Sequence, residues 1–317
     1  MTARPRYVYL GPSGTFTEAA LLAMTVGSEI EAIAVVDVPA ALSAVRAGEA
    51  DHAAVAIENT VEGGVTATLD SLAEGAPLVI QGEVVLPVEF ELVAREPISL
   101  DAIERITAHS HAWAQVRRWA HATVPQAVFV PASSNAAGAL AVAASEPVGG
   151  IPVDAALAPP GTAERLGLHK VLEHVADNPH AATRFVRIGR PGEVPAPTGS
   201  DKTTLTVHLP TDRSGALLEM LEQFAARGVN LSRIESRPRW DHPGEYSFSI
   251  DALGHIAEER IADALMGLYR TCPLVVFQGS YPAAGAASAD VQGHMTDQAF
   301  ADARAWVAHL RNGHHSA

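Results

Sequence analysis

Cysteine is almost absent: Cys272 is the single one in 317 residues. One thiol excludes an intramolecular disulfide framework and a cysteine-built zinc site. Positive charge is scarce too, with 22 Lys and Arg against 36 Asp and Glu, a net charge of -14. That balance argues against a nucleic-acid partner, whose phosphates select basic faces. It leaves a small anionic substrate open, because a few local arginines act inside an acidic protein. No apolar run approaches the ~20 residues of a membrane span without a charge or a proline, so no membrane association is expected. The start, Met1-Thr-Ala-Arg-Pro-Arg6, passes straight into strand-like Tyr7–Leu10 without the apolar core of a signal peptide, and a cytoplasmic location is expected. What is abundant is apolar surface: 48% of the residues are hydrophobic, enough for sizeable cores in a chain long enough for two or three domains.

Short apolar runs alternate with amphipathic stretches through the first half. Tyr7–Leu10, Glu31–Val36, Ala53–Ile57 and Leu78–Leu86 read as strands, with helices at Phe16–Thr25, Ala40–Ala47 and Val65–Ala73 between them. The pattern resumes with Arg105–Ala108, Ala114–His121, Ala127–Val130, Ser134–Ala144, Val148–Ile151 and Phe185–Ile188, which predicts an α/β region built of parallel units over residues 6–189. Residues 190–201 are rich in proline and glycine without periodicity and read as a linker. A compact unit follows over 202–282. Its strands are Thr203–Leu209, Val229–Glu235, Tyr246–Leu253 and Leu274–Tyr281, its helices Ala216–Ala226 and Ala257–Tyr269, and the order βαββαβ is the α+β ferredoxin-like plan. In the tail, 283–317, an alanine-rich spacer leads to Phe300, Arg304, Val307 and Leu310 at helical spacing.

Four segments stand out, each taken alone either a site or an ordinary capped turn, loop or strand start. Gly11-Pro-Ser-Gly-Thr-Phe16 lies between a strand and a helix, and Thr15 with Glu18 has capping-box spacing. Its amides and the helix dipole make either a carboxylate site or an ordinary capped turn; it is neither a Walker loop nor a dinucleotide fingerprint. Ile57-Glu-Asn-Thr60 sets polar side chains at the carboxyl end of a buried strand, where open α/β sheets meet their ligands. Thr183-Arg-Phe185 pairs a hydroxyl with a guanidinium able to fork a carboxylate. In the last unit, Gly215 stands at a strand-to-helix turn, with Glu235-Ser-Arg-Pro238 at a strand end.

Taken in order, Leu10-Gly-Pro-Ser-Gly-Thr-Phe16, Ile57-Glu-Asn-Thr60, Thr183-Arg-Phe185, Glu235-Ser-Arg-Pro238 and Gly279-Ser-Tyr-Pro282 resemble the prephenate dehydratase family over residues 6–282. The resemblance implies a two-lobed catalytic domain like a periplasmic binding protein, followed by an ACT regulatory domain. It implies conversion of prephenate to phenylpyruvate, water and carbon dioxide, with no metal or other cofactor, under regulation by L-phenylalanine. A homodimer or homotetramer is implied, because ACT units pair around their ligand.

The family's essential threonine falls on Thr183. A threonine hydroxyl is too weak an acid to protonate a leaving group outright, so it is expected to donate a positioned hydrogen bond, with Glu58 or His109 sharing the proton. Asn59 and Gln115 complete the implied catalytic set. Ser13, Gly14, Thr15, Phe16, Thr60, Ser134, Arg184 and Phe185 are expected to bind substrate. Gly215, Ala216, Leu217, Asn230, Glu235, Ser236, Arg237 and Pro238 are expected to hold phenylalanine. Around His109 the sequence departs from the family: Ala108 stands where serine is usual and Ser110 where proline is usual. His109 and His111 lack a third ligand at metal-binding spacing. Arogenate dehydration and amino-acid sensing without catalysis are the rival readings, and Thr183 argues against the second.

Overall fold

The structure is a computed structural model, and it describes residues 4–61, 63–209, 213–239, 245–285 and 291–313. Glu62 and residues 286–290 of the alanine-rich spacer lie outside the described residues. The chain forms two bodies: Met1–Thr68 with Val84–Arg187, and Leu69–Glu83 with Ile188–Ala317.

The first body holds two α/β lobes. The sheet of the first lobe runs in the order Glu31–Val35, Arg6–Leu10, His52–Asn59, Ala182–Gly189, Val79–Pro87. Its first three strands are parallel, as the alternation of apolar runs and helices predicts. The helix Phe16–Met24 packs Ala20 and Leu21 onto this sheet, and Val38–Ala47 packs Ala41, Leu42 and Val45. The second lobe runs His169–Val175, Phe90–Ala94, Ala155–Ala158, Arg105–Ala108, Val128–Pro131. It is mixed, parallel on one side of Ala155–Ala158 and antiparallel on the other. The chain enters this lobe after Val79–Pro87 and returns through Ala182–Gly189, so two neighbouring strands of the first sheet carry both crossings.

Two expected elements differ. The helix expected over Ala114–His121 is two short helices, Ser110–Ala114 and Arg117–Thr123, with a break at Gln115–Val116. The Asp177 carboxylate causes the restart, accepting from the backbone N–H groups of Arg118 at 2.9 Å and Trp119 at 2.7 Å. A remote carboxylate thus serves the new helix start as a local cap would. The strand expected at Val148–Ile151 is a tight turn closed by a single bridge between those two residues.

The second body is built on an antiparallel sheet, Leu231–Pro238, Tyr246–Leu253, Asp201–His208, Leu274–Pro282. Helices Ala216–Ala225 and Glu259–Thr271 cover one face, burying Leu205, Val207, Phe248 and Ile250 against Met220, Phe224, Ile261 and Leu268. This is the α+β ferredoxin-like plan. The other face is polar: Arg233 forks the Asp251 carboxylate at 2.9 and 3.1 Å, and Thr204 links Asp251 to the Tyr281 hydroxyl at 2.7 Å each. The tail forms the helix Asp297–Arg311, tied to Glu259 through Arg304. Among the described residues no helix is long and apolar enough to cross a membrane.

Candidate active site

The site begins with two adjacent strand ends. Thr60 locks them, its N–H donating to the Ala182 carbonyl at 3.0 Å and its hydroxyl accepting from the Ala182 N–H at 2.9 Å. Beside this lock, Asn59 Nδ2 donates to Thr183 Oγ1 at 2.8 Å. The Val61 N–H donates to Asn59 Oδ1, also at 2.8 Å. The second contact orients the amide, since only its NH2 end can then face Thr183. With its oxygen accepting from Asn59, the Thr183 hydroxyl keeps its own hydrogen to donate elsewhere.

Strand side chains alternate between faces, and the neighbouring residues show it. Arg184 Nη1 meets Glu58 Oε2 at 3.4 Å, with the arginine buried. Asn59 and Thr183 line a cleft of about 660 Å³; Glu58 and Arg184 do not. Phe185 shares Thr183's side by alternation but is buried and does not reach the cleft. Of the expected site residues, Glu58 and Arg184 thus lie on the other face of their strands and Phe185 is buried, and none of the three lines this cleft.

The remaining lining comes from the loops after the strands. Thr15, Phe16, His109, Gln115 and Ser134 all face the cleft, joined by Pro12, Val88, Phe90, His111 and Asn135. Phe16 of one lobe meets Phe90 of the other edge-on, centroids 5.7 Å apart. Two helices begin here. Thr15 caps Phe16–Met24 by accepting from the Glu18 N–H, and Ser134 caps Asn135–Ala144 by accepting from the Ala137 N–H. Their first-turn amides, which no intrahelical carbonyl serves, give the cleft two anion-seeking walls. Asn135 is a residue the sequence reading missed. Its Oδ1 accepts from the His109 N–H at 2.8 Å and fixes the histidine loop; its place beside the cap Ser134 was the available signal.

Ser13 and Gly14 are engaged differently from expectation. The chain's own Glu18 carboxylate takes both, accepting from the Gly14 N–H at 2.6 Å and the Ser13 hydroxyl at 2.9 Å, and from the Tyr9 hydroxyl at 2.8 Å. Burial opposes ionisation of Glu18, but the Gly14 N–H, the two hydroxyls and the Arg165 charge outweigh it and lower its pKa. Tyr9 is pushed up to about 12 by its burial and by Glu18. Gly14 has φ +87°, a left-handed backbone that favours glycine, and the Arg165 guanidinium lies where a Cβ would stand. Glu18 thus takes the Ser13–Gly14 end of a turn that the sequence left as either a carboxylate site or an ordinary capped turn.

Gln115, at the helix break, lies between the cleft and a second cavity of about 470 Å³ lined by Thr60, Arg117 and Asp177. Its Oε1 is buried without a donor among the described residues, an unmet acceptor of the kind a ligand hydroxyl satisfies. His109 and His111 rings meet edge-on, centroids 4.9 Å apart.

In the second body, Gly215 holds the left-handed conformation, φ +87°, ahead of helix Ala216–Ala225. Gly215, Leu217, Asn230, Ser236 and Pro238 are exposed, and Ala216 is buried. Alternation divides the Glu235–Pro238 segment. Ser236 pairs in register with Phe248 on the helix-covered face, and Glu235 pairs with Ser249 on the polar face. Arg237 forks the Asp70 carboxylate at 3.0 and 2.9 Å.

Fold and cleft together describe a two-lobed α/β body with a cleft lined by polar loops, followed by a ferredoxin-like body. The family model for prephenate dehydratase matches residues 7–193 and that for the ACT domain matches residues 203–268. A prephenate dehydratase of Amycolatopsis methanolica is 44% identical over 310 residues, covering 97% of this chain and 98% of its own. The crystal structure of the prephenate dehydratase of Arthrobacter aurescens in complex with L-phenylalanine superposes with a TM-score of 0.90 at 49% identity, covering 97% of this chain and 99% of that one. GqqA, described as a novel type of quorum quenching acylase, has the same fold at a TM-score of 0.75 and 28% identity, covering 88% of this chain and 98% of its own. The chain belongs to the prephenate dehydratase family, and it is an enzyme of the lyase class.

Proposed function

We propose that this protein dehydrates and decarboxylates prephenate to phenylpyruvate in phenylalanine synthesis and is inhibited by L-phenylalanine bound to its ACT domain. Prephenate carries two carboxylates and a ring hydroxyl. The two helix starts at Phe16 and Asn135 take the carboxylates. The Thr183 hydroxyl donates to the departing ring oxygen. As the ring carboxylate leaves as carbon dioxide, its bonding pair enters the ring, the carbon–oxygen bond breaks, and the oxygen departs as hydroxide that gains a proton to become water. Aromatisation drives the step. The chain's contribution is orientation and hydrogen bonding in a cleft with aromatic walls.

The observation that carries this reading is the Asn59 Nδ2 to Thr183 Oγ1 bond, which fixes Thr183 as donor. Gln115, with its unmet acceptor, supports a contact to the substrate hydroxyl, and His109, one of the two histidines on the cleft wall, shares the proton. Phenylalanine binds where Gly215, Leu217 and Ser236 are exposed, between two copies of the chain in a homodimer or homotetramer. The protein works in the cytoplasm.

Purified protein should release phenylpyruvate from prephenate, slowed by added L-phenylalanine. Turnover of arogenate in its place would move the assignment to that substrate, and no turnover of either would refute the lyase reading.

A further inference from the structure

The regulatory body contains a piece of the catalytic region. Leu69–Glu83 is held against the ferredoxin-like sheet at three points. Arg237 forks Asp70. Gly279, at φ +121°, lets its strand approach Ile80 so closely that a Cβ would stand 2.2 Å from the Ile80 carbonyl oxygen. Lys202 meets Glu83 at 2.9 Å, with side chains 13% and 0% exposed.

Both ends of this piece run into elements of the cleft. On one side, helix Thr66–Ala73 is tied by the Thr68 hydroxyl, donating at 2.5 Å to the carbonyl of Ala56, three residues before Asn59. On the other, strand Val79–Pro87 leads to Val88, which lines the cleft and donates to the Ala181 carbonyl at 2.7 Å, two residues before Thr183.

The three anchors differ in how readily they change. The contact at Gly279 is backbone packing, and Glu83 is fully buried. The Asp70 and Arg237 side chains are 46% and 26% exposed, and Arg237 lies on the edge strand Leu231–Pro238. Its neighbour Ser236 points to the opposite face, so a ligand taking hold of Ser236 acts on Arg237 through one peptide unit. A two-pronged guanidinium–carboxylate pair tolerates little rotation before one prong is lost.

We propose that the Asp70–Arg237 ion pair is the joint through which the regulatory body acts on the cleft, with helix Thr66–Ala73 as the lever that carries its state to Asn59. This rests on the phenylalanine-sensing reading above. Coupling of this kind needs one element whose state both sites bias, and it works equally in both directions.

The test uses full-length Asp70→Asn and Asp70→Glu beside the wild type. Phenylalanine binding is followed by calorimetry, and inhibition by phenylpyruvate release. Wild type should bind and be inhibited. Asp70→Asn should bind phenylalanine within about threefold of wild type but lose more than half of the maximal inhibition, while Asp70→Glu keeps most of it. Inhibition as complete in Asp70→Asn as in wild type would overturn the proposal. So would binding lost together with inhibition, which would make the pair part of the ligand site. A wild-type protein that does not bind phenylalanine would refute the sensing reading itself and the joint with it, and that outcome is visible before any variant is made.

Discussion

Two hydrogen-bonded pairs span the same two strands one residue apart, and they do opposite things. Asn59–Thr183 is neutral and faces the cleft; Glu58–Arg184 is charged and faces away from it. Their sequence neighbourhoods are indistinguishable, Glu-Asn in one strand and Thr-Arg in the other. Only strand alternation separates them. On the proposed reaction, the neutral pair orients a hydroxyl for chemistry and the charged pair secures the strands that present it.

The comparison is sharpened first at Thr183. Thr183→Ala should lower kcat by about 10³- to 10⁴-fold, some 4–5 kcal/mol of barrier, with thermal unfolding little changed. Asn59→Asp removes the amide donor and offers Thr183 an acceptor instead. Its hydroxyl would then turn away from the substrate, and kcat should fall on the order of 10²-fold. Arg184→Met tests the other face. It leaves Glu58 unpaired but partly solvated, so chemical denaturation should show a loss of about 2 kcal/mol, below the usual cost at fully buried pairs, with turnover per folded molecule within about tenfold. A kcat loss for Arg184→Met as large as that for Thr183→Ala would break the distinction. Gly14→Ala should cost about 1–2 kcal/mol for its left-handed backbone alone, read from the urea midpoint.

The smallest effect is one of pH. Glu18 has its pKa lowered in the folded protein from the ordinary 4.5. Its contribution to stability is therefore complete above 4.5 and is lost as pH falls through the lower folded value. Melting curves of wild type and Glu18→Gln should differ most above about pH 5 and converge on acidification; a constant gap would contradict the assigned contacts.

Much of this was legible in the sequence. The βαββαβ order was readable because each element shows its own period, and the parallel strands of the first lobe because they are short apolar runs. Ala155–Ala158 escaped notice: three alanines and a leucine, none of them β-branched or aromatic, carry no strand signature, and only pairing on both sides makes them a strand. His169–Val175 was hidden by its register shifts. Thr15, Phe16, Asn59, His109, Gln115, Ser134 and Thr183, each picked from a motif, line one cleft. What could not be read was the use of each donor. Glu18 takes the turn at Ser13–Gly14, Asp177 starts a helix from some sixty residues away, and Asp70 holds Arg237 across 167 residues. Long-range partners leave no local mark. The likeness to GqqA makes a related point: a shared fold does not dictate the reaction, so the assignment rests on the family match and the cleft together.

The central claim is that Thr183, held by Asn59, is the hydrogen-bond donor for loss of the ring hydroxyl. The most direct test measures phenylpyruvate release from prephenate under single-turnover conditions by wild type and Thr183→Ala, alongside prephenate binding to the variant. The account predicts normal binding with turnover reduced by at least about a thousandfold. Full turnover in Thr183→Ala would contradict it.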